Sequence, residues 1–295
     1  MFPAEFEYVR PESVDEALDL MEERAGEDVE LLSGGHSLLP TVKSGLASPD
    51  VLIDIGAIED LHGIDVGEES ITFGALTTYA DIDDSTVAWE RCTDLAEAAA
   101  AVGDIQVRNR GTIGGNLAHA DPAADPPAAA LAADATIHVE GPDGDRTVPA
   151  DEFFIAMYTT GVGEGEVLTA VEVPTLGDGD AGAYVKKASP SSGYAMIGVA
   201  VRLRTDGETI ESARVAANGA FDHAQRLEPV EEALEGESLD REDLAADAAS
   251  HATDDVEDWE LMDDLQASGE FRGHLLGVYA ERAIDRALDR VNAED

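Results

Sequence analysis

The sequence predicts an α+β protein, built from α/β subdomains followed by a second α+β domain. Short apolar runs alternate with helical patterns early in the chain, and longer alternating runs precede helical patterns in its last third. A segment of glycines and aspartates, Gly177–Gly182, separates the two parts. We therefore expect domains at residues 1–176 and 182–292, the first divided into subdomains at about residues 1–57 and 58–176.

The first subdomain is predicted as a small α/β unit. Residues Glu5–Val9, Val29–Leu32 and Val51–Ile55 have the short apolar pattern of strands. A helix after the first strand is predicted from Ser13 as its N-cap residue with Glu16 three positions later, the spacing of a capping box. Strands and a helix in this order indicate an α/β unit.

The second subdomain is expected to contain a hairpin, an alanine-rich helix, a glycine-rich turn, a short helix and three further strands. In chain order these are Ile64–Val66 with Ser70–Phe73, Leu95–Val102, Gly111–Asn116, Ala128–Ala133, and then Thr136–Val139, Arg146–Val148 and Val167–Val173.

The second domain is predicted as a three-stranded antiparallel sheet followed by helices. The strands are expected at Ala183–Lys187, Ala195–Arg204 and Ile210–Ala217, and the helices around Val230–Leu234, Leu244–His251 and Phe271–Val291. Strands first and helices afterwards are typical of the α+β class.

The charge of the chain is strongly negative and limits its partners. There are 64 acidic and 18 basic residues, a net charge of −46, and only three lysines: Lys43, Lys186 and Lys187. Such a field repels nucleic acid and anionic membranes. Acidic residues spread along the whole chain are typical of a cytoplasm at molar salt, where the Debye length falls to about 3 Å. An acidic protein of an ordinary cytoplasm with a basic partner is the alternative.

Several classes of protein are excluded by simple counts. No apolar run is long enough for a membrane helix, and residues 1–10 lack the form of a secretory signal, so we expect a cytoplasmic protein. Cys92 is the only cysteine, which rules out an internal disulfide and an iron–sulfur cluster held by four thiolates of this chain. We expect Cys92 to be a small buried residue. The seven histidines show no paired zinc-site spacing.

Two glycine-rich segments stand out as candidate phosphate sites. The first is Leu31-Leu32-Ser33-Gly34-Gly35-His36-Ser37-Leu38-Leu39-Pro40, and the second is Arg110-Gly111-Thr112-Ile113-Gly114-Gly115-Asn116-Leu117-Ala118-His119-Ala120-Asp121-Pro122-Ala123-Ala124-Asp125. Adjacent glycines allow successive backbone N–H groups to face one point, which is how such loops bind phosphate oxygens. Ser37, Thr112 and Asn116 add side-chain donors.

The net charge strengthens this interpretation. A chain at −46 cannot attract a diphosphate by its overall field, whereas fixed backbone dipoles at contact range still act in molar salt. Two such segments suit a cofactor with two phosphates, although each could be an ordinary tight turn. Gly177–Gly182 matches a dinucleotide-binding spacing, but its two aspartates would repel a pyrophosphate, so a Rossmann site is not expected.

These two segments resemble the FAD signatures of the flavin subunit of molybdenum hydroxylases, the family of carbon monoxide and xanthine dehydrogenases. Tyr184-Val185-Lys186 followed by Ser192-Gly193-Tyr194-Ala195 is similar to the family's third signature. The resemblance covers essentially the whole chain, and His119 fits the carbon monoxide dehydrogenase branch. It implies a para-cresol methylhydroxylase-type FAD domain of two subdomains with FAD between them, followed by a carbon monoxide dehydrogenase flavoprotein-like domain.

The resemblance also implies roles for individual residues. Leu32, Ser33, Gly34, Gly35, His36, Ser37, Leu38 and Leu39 would surround the diphosphate from one side, and Thr112, Gly114, Gly115 and Asn116 from the other. Asp125 would hold ribityl or ribose hydroxyls, Val102 would lie near the ring system, and Leu168 would contribute backbone contacts. Lys186 would lie beside the flavin and stabilise its anionic reduced form. Alternatively, Lys186 and its neighbour Lys187 could be a solubilising pair at a strand edge. Tyr194 could be an ordinary core residue.

The function that the resemblance implies is electron transfer. The chain would carry FAD, receive electrons from iron–sulfur clusters on a small subunit that serves a large molybdenum-cofactor subunit, and pass them to an external acceptor. The assembly would be a dimer of heterotrimers. A flavin-free scaffolding homologue and a metal-dependent hydrolase using His119, Asp121 and Asp125 are the alternatives.

Overall fold

The computed structural model describes residues 3–293, so that Met1, Phe2, Glu294 and Asp295 lie outside it. Its main elements form three β-sheets with helices packed against them. The mixed strand and helix content confirms the predicted fold class.

The first sheet is a parallel three-stranded sheet near the N-terminus. It contains β1 (Glu7–Val9), β2 (Val29–Leu32) and β3 (Val51–Asp54) in the order β1-β3-β2. Helix α1 (Val14–Glu23) connects β1 to β2 and begins at the predicted cap, because Ser13 Oγ accepts a hydrogen bond from Glu16 N at 3.1 Å. Helix α2 (Leu38–Ser44) connects β2 to β3, and two short 3₁₀ turns follow. The predicted α/β unit is confirmed.

The second sheet is antiparallel and has five strands in the order β4-β5-β10-β6-β7. These strands are β4 (Ile64–Val66), β5 (Ser70–Gly74), β6 (Thr136–Gly141), β7 (Gly144–Pro149) and β10 (Val167–Pro174). The helices inserted between β5 and β6 are α3 (Tyr79–Asp83), α4 (Thr86–Arg91), α5 (Thr93–Ala101), α6 (Ile105–Arg108), α7 (Ile113–His119) and α8 (Pro126–Ala132). Helix α9 (Ala150–Phe153) and a ribbon of β8 (Phe154–Ala156) and β9 (Thr159–Thr160) complete this part.

The third sheet has four antiparallel strands, one more than predicted. They are β11 (Ala181–Ala188), β12 (Ala195–Thr205), β13 (Ile210–Asn218) and β14 (Gln225–Arg226), followed by α10 (Glu228–Leu234), α11 (Leu244–Ala249) and α12 (Gly269–Ala293). The prediction of three strands was wrong because β14 pairs through only two residues, too few for an alternating pattern.

Alanine-rich helices join the second and third sheets. Helix α5 lies against β11, and α8 lies against β13. Their alanines are buried, and such small side chains let the helices approach the sheet closely. Inside this contact Asp94 of α5 forms two hydrogen bonds of 2.8 Å with Arg202 of β12, and both side chains are buried.

The second glycine-rich segment was predicted as a turn, and this prediction was wrong in its second half. Helix α7 begins at Ile113, so Gly114 and Gly115 form its first turn. Thr112 is the N-cap residue, and its hydroxyl accepts a hydrogen bond from Gly115 N at 3.2 Å. A cap residue followed by a continuous helix explains why the chain does not turn here.

Two further findings concern classes of protein considered above. Cys92 is fully buried, as expected. Across residues 3–293 there is no helix with the length and apolar character needed to span a membrane.

Candidate functional site

A cleft of about 460 Å³ lies between the first sheet and the helices of the second. Its walls come from the loop after β2, from residues 111–119 and from an apolar group at one side. That apolar group consists of Val29, Leu31, Ile55, Leu76, Val167 and Leu168. Polar loops facing an apolar wall are what a cofactor with phosphates and flat rings requires.

The two glycine-rich segments meet at the floor of this cleft. A Cβ atom on Gly34 would lie 2.9 Å from Gly111 Cα and closer still to the carbonyl oxygen of Arg110. Thr112 Oγ1 donates a hydrogen bond to Ser33 Oγ at 3.3 Å. Gly34 is therefore required because two backbones approach each other, and the contact brings segments about 80 residues apart in sequence into one site.

The loop after β2 presents a run of free backbone donors. Within residues 3–293, the N–H groups of Gly34 to Leu38 have no hydrogen-bond acceptor, and Ser37 does not cap α2 with its side chain. Gly35 has φ +72°, a left-handed conformation that glycine adopts without strain. Five consecutive unpaired N–H groups on residues that line a cleft make this loop the candidate anion site, because such groups need an acceptor.

The second segment contributes differently from what we predicted. The N–H groups of Ile113 and Gly114 already donate to the carbonyls of Thr77 and Ala75, at 3.0 and 2.9 Å. Its glycines serve packing, since a Cβ on Gly114 would lie 2.6 Å from Ala75 Cβ. The backbone N–H groups of Ile113 and Gly114 are therefore already hydrogen-bonded within the protein. The polar contribution of this segment to the cleft comes from the side chains of Thr112 and Asn116.

Asn116 is one sign that a ligand belongs here. Its Oδ1 atom is buried and has no partner within residues 3–293, although the residue lines the cleft. A buried acceptor without a donor is costly and rare in a folded protein. Tyr79 lies next to Asn116, and burial raises the pKa of the Tyr79 hydroxyl, so the group stays protonated and can donate.

Beyond the cleft wall lies a buried polar cluster around Asp125. Tyr184 Oη donates to Asp125 Oδ1 at 2.5 Å, and Lys186 Nζ donates to Asp125 Oδ2 at 2.8 Å. Burial raises the pKa of Asp125 to about 6, although the ammonium of Lys186 opposes this shift. Both carboxylate oxygens therefore already have a donor in the protein.

Two partly exposed tyrosines lie next to residues that line the cleft. The ring of Tyr158 lies 5.0 Å from that of His119, and Tyr194, close to the Ser37 side chain, is 44 % exposed. Tyr158 and Ala120 both have left-handed backbones, φ +56° and +47°, and Tyr158 N donates to Ala120 O. Two left-handed residues other than glycine thus store strain beside His119.

Most of the predicted site residues come together in the cleft. Those that line it are Ser33, Gly34, Gly35, His36, Ser37, Leu38, Thr112, Gly114, Gly115, Asn116, His119 and Leu168. Those that do not are Leu32, Leu39, Val102, Asp125, Lys186 and Tyr194. Leu32 and Leu39 pack their side chains against Gly35 from behind. As cofactor contacts, all of these residues stay predictions.

The cleft also contains residues that the sequence analysis did not select. Ala75, Leu76 and Tyr79 follow β5, and their part in the wall depends on the contact of α7 with residues 75–77. Gly111 belongs to the second glycine-rich segment, but it was not selected as a cofactor-binding residue. No local pattern marks the other three, because their neighbours are distant in sequence.

A metal-dependent hydrolase finds no support in this geometry. The Asp125 carboxylate, one of the three ligands it would need, is bonded to Lys186 and Tyr184. Across residues 3–293 no group of three or more histidine, cysteine or acidic side chains is arranged to hold a metal ion.

Comparison with known proteins agrees with the geometry of the cleft. Residues 4–176 match the family described as the FAD binding domain in molybdopterin dehydrogenase, and residues 183–287 match the CO dehydrogenase flavoprotein C-terminal domain. The carbon monoxide dehydrogenase medium chain of Hydrogenophaga pseudoflava is 39 % identical over 292 residues, covering 98 % of this chain and 99 % of that protein. The glyceraldehyde dehydrogenase medium chain of Sulfolobus acidocaldarius is 37 % identical over 256 residues, covering 87 % and 90 %.

Solved structures give the same result. A chain of carbon monoxide dehydrogenase from Hydrogenophaga pseudoflava, in a form lacking the Mo-pyranopterin moiety, superposes with a TM-score of 0.93 at 39 % identity, covering 98 % of this chain and 99 % of that one. A chain of quinoline 2-oxidoreductase from Pseudomonas putida 86 superposes with a TM-score of 0.90 at 29 % identity, covering 99 % of each.

Proposed function

The chain belongs to the family of FAD-binding medium subunits of molybdenum hydroxylases, and we propose that it is the electron-transfer subunit of such a complex. It is an oxidoreductase subunit whose cofactor is FAD. In the proposed role it takes electrons from iron–sulfur clusters of a partner subunit and passes them to an external acceptor. When bound, FAD supplies a carrier that can exchange electrons singly or in pairs.

The observation that carries this proposal is the run of free N–H groups from Gly34 to Leu38 in a chain with a net charge of −46. These amides would hold the diphosphate, since they act at contact range where salt screens least. Thr112 and Asn116 would hold it from the opposite side, Asn116 through its Nδ2 group, because the ionised diphosphate accepts hydrogen bonds and donates none. The apolar wall around Leu31, Ile55 and Leu168 would exclude water from a ring.

The proposed partners are an iron–sulfur small subunit and a molybdenum-cofactor large subunit, in a dimer of heterotrimers. Cys92 is the only thiol of the chain, is buried, and has a pKa raised to about 12 by burial, so it is not a cluster ligand. The clusters must therefore lie on another chain. The name of one relative, a dehydrogenase complex subunit, describes that protein as part of an assembly.

We also propose that the protein works in a cytoplasm of high salt. Acidic residues outnumber basic ones by 64 to 18 along the whole chain. Many of the basic residues form ion pairs, including buried ones such as Arg202 with Asp94, which leaves a large excess of unpaired acids. Molar salt screens the repulsion among these acids.

The test is the absorption spectrum of the purified chain after incubation with FAD and removal of the free cofactor. The two visible bands of oxidised flavin at one equivalent per chain are the expected result. Gly115→Asp is the companion variant, because a carboxylate beside Ser33 and Thr112 would repel the diphosphate. Wild-type protein that binds no FAD would favour a flavin-free scaffolding role and overturn the proposal, as would full occupancy in the variant.

A further inference from the structure

Tyr79 contributes a phenol group to the cleft and lies outside the segments that carry the family resemblance. The residue begins α3, and its backbone N–H donates to Gly111 O at 3.1 Å. Its ring lies against Gly111, where a Cβ atom would come within 2.5 Å of Tyr79 Cε2. The missing side chain of Gly111 therefore makes room for the ring, and the backbone bond to the same residue holds the phenol in place.

The hydroxyl of Tyr79 interacts with the side chain of Asn116, which also lines the cleft. Burial raises the pKa of this hydroxyl, and the hydrogen bond with Asn116 opposes that shift. A hydrogen bond lowers the pKa of a phenol when the phenol oxygen accepts, because it stabilises the phenolate. Asn116 is therefore the donor through its Nδ2 group, and the phenol proton remains available for another acceptor.

The amide of Asn116 has two more hydrogen-bonding positions. Its second Nδ2 proton is available to the diphosphate, and its Oδ1 atom is buried without a partner within residues 3–293. Tyr79 and Asn116 together therefore present one donor, the phenol O–H, and one acceptor, the amide oxygen. Buried polar groups in folded proteins have partners, so this pair requires a ligand group that can serve both.

A hydroxyl group of the ligand meets this requirement, whereas a phosphate does not. An ionised phosphate accepts hydrogen bonds and donates none, so it would leave Asn116 Oδ1 unpaired. A hydroxyl group can accept from Tyr79 and donate to Asn116 at the same time. FAD carries hydroxyl groups on its ribityl chain at one end of the diphosphate and on its ribose at the other.

We propose that Tyr79 is a cofactor-binding residue, and that its hydroxyl donates to a sugar-type hydroxyl of FAD which in turn donates to Asn116 Oδ1. This step rests on the proposed function of the cleft as the FAD site. The pair would select a cofactor with a hydroxyl-bearing carbon chain next to the diphosphate. The ribityl chain and the ribose are the two sources of such a group, and fragments of the cofactor distinguish them.

The experiment compares Tyr79→Phe with the wild type in the full chain. The change keeps the ring against Gly111 and removes only the hydroxyl. Binding is measured for FAD, for FMN, which has the ribityl chain, and for ADP, which has the ribose, by flavin fluorescence or by calorimetry. Tyr279→Phe is the matched control, because Tyr279 is also buried, belongs to α12 and does not line the cleft. Thermal unfolding without ligand shows whether each variant is folded.

We expect Tyr79→Phe to weaken FAD binding by roughly 3- to 10-fold, the effect of one hydrogen bond. One of the two fragments should lose affinity by a similar factor and the other should be unchanged. A loss for FMN assigns the contact to the ribityl chain, and a loss for ADP assigns it to the ribose. Tyr279→Phe should change none of the three affinities.

Unchanged FAD affinity in a folded Tyr79→Phe protein would overturn the proposal. Equal losses for FMN and ADP would overturn it as well, since one hydroxyl group of FAD belongs to only one of the two fragments. Wild-type protein that binds no FAD would contradict the proposed function, which is a separate outcome.

A double-variant comparison tests whether Tyr79 and Asn116 bind the same group. Removing the Tyr79 hydroxyl should cost less FAD affinity in Asn116→Ala than in the wild type, because residues that share one partner are not additive. An equally large loss in both backgrounds would contradict the shared hydroxyl.

If Tyr79→Phe fails to fold, the ligand is changed and the wild-type protein is kept. Riboflavin is compared with lumiflavin, in which a methyl group replaces the ribityl chain, and adenosine is compared with adenine. In one of these two comparisons the ligand with the sugar group should bind more tightly by at least the factor expected for one hydrogen bond. Equal affinities within both comparisons would overturn the proposal.

Discussion

Replacing Gly34 by alanine should separate the two glycine-rich segments and weaken FAD binding. The new Cβ atom would lie 2.9 Å from Gly111 Cα, whereas non-bonded carbon atoms prefer about 3.5–4.0 Å. The backbones must therefore move apart by roughly 0.5–1 Å, because neither contact is with a side chain that can rotate away. Overpacking of this kind costs about 1–3 kcal/mol. If FAD binding has to restore the contact, affinity falls by about 5- to 150-fold.

The assay is a fluorescence titration of the Gly34→Ala protein with FAD, together with its thermal unfolding without the cofactor. Gly277→Ala in α12 is the control, since a Cβ atom there would meet its nearest neighbour, Ala249 O, at an ordinary 3.5 Å. A Gly34→Ala protein that is folded and binds FAD within twofold of the wild type would refute the reasoning. It would mean that the contact between the two segments does not shape the cofactor site.

Three further predictions concern stability, and thermal unfolding tests each. Arg202→Met should cost about 3–5 kcal/mol because it leaves Asp94 buried without its partner, and the double variant with Asp94→Ala should cost less than the two single changes together. Arg204→Met, on the same strand but 65 % exposed, is the control, and an equal loss there would contradict the argument. Ala120→Gly should stabilise the protein by up to about 1 kcal/mol, because a left-handed residue loses its Cβ strain; a lower melting temperature would contradict this. Raising KCl from low to molar concentration should raise the melting temperature, since 64 acidic residues repel one another, and a melting temperature independent of salt would oppose the high-salt proposal.

Much of the fold follows from local patterns. The Ser13 cap, the alternating strands of the third sheet and the alanine-rich helices are each encoded within about ten residues, and the structure contains all of them. The two glycine-rich segments are also visible as local signals, and both contribute to one cleft. Boundaries differ by a few residues because helix and strand ends depend on contacts with other elements.

The sequence could not show which of the two glycine-rich segments has unpaired backbone N–H groups. Both contain adjacent glycines, but the amides of Ile113 and Gly114 are used by carbonyls of residues 75–77, and those of Gly34 to Leu38 are free. Which amides remain available depends on what packs against each loop. For the second segment, the carbonyls that accept from its amides lie about 35 residues earlier in the chain. No periodic pattern in the sequence marks them.

What the sequence alone determined is the fold class, the family resemblance and the location of the two glycine-rich segments that line the cleft, because these depend on residues close together in the chain. What the tertiary structure decided is the partner of each charged group. Asp94 meets Arg202 across 108 residues, and Lys186 meets Asp125 across 61. In a chain with 64 acidic residues the sequence allows many partners for each cation. Only packing selects one of them, because burial makes a single pairing far more favourable than the rest.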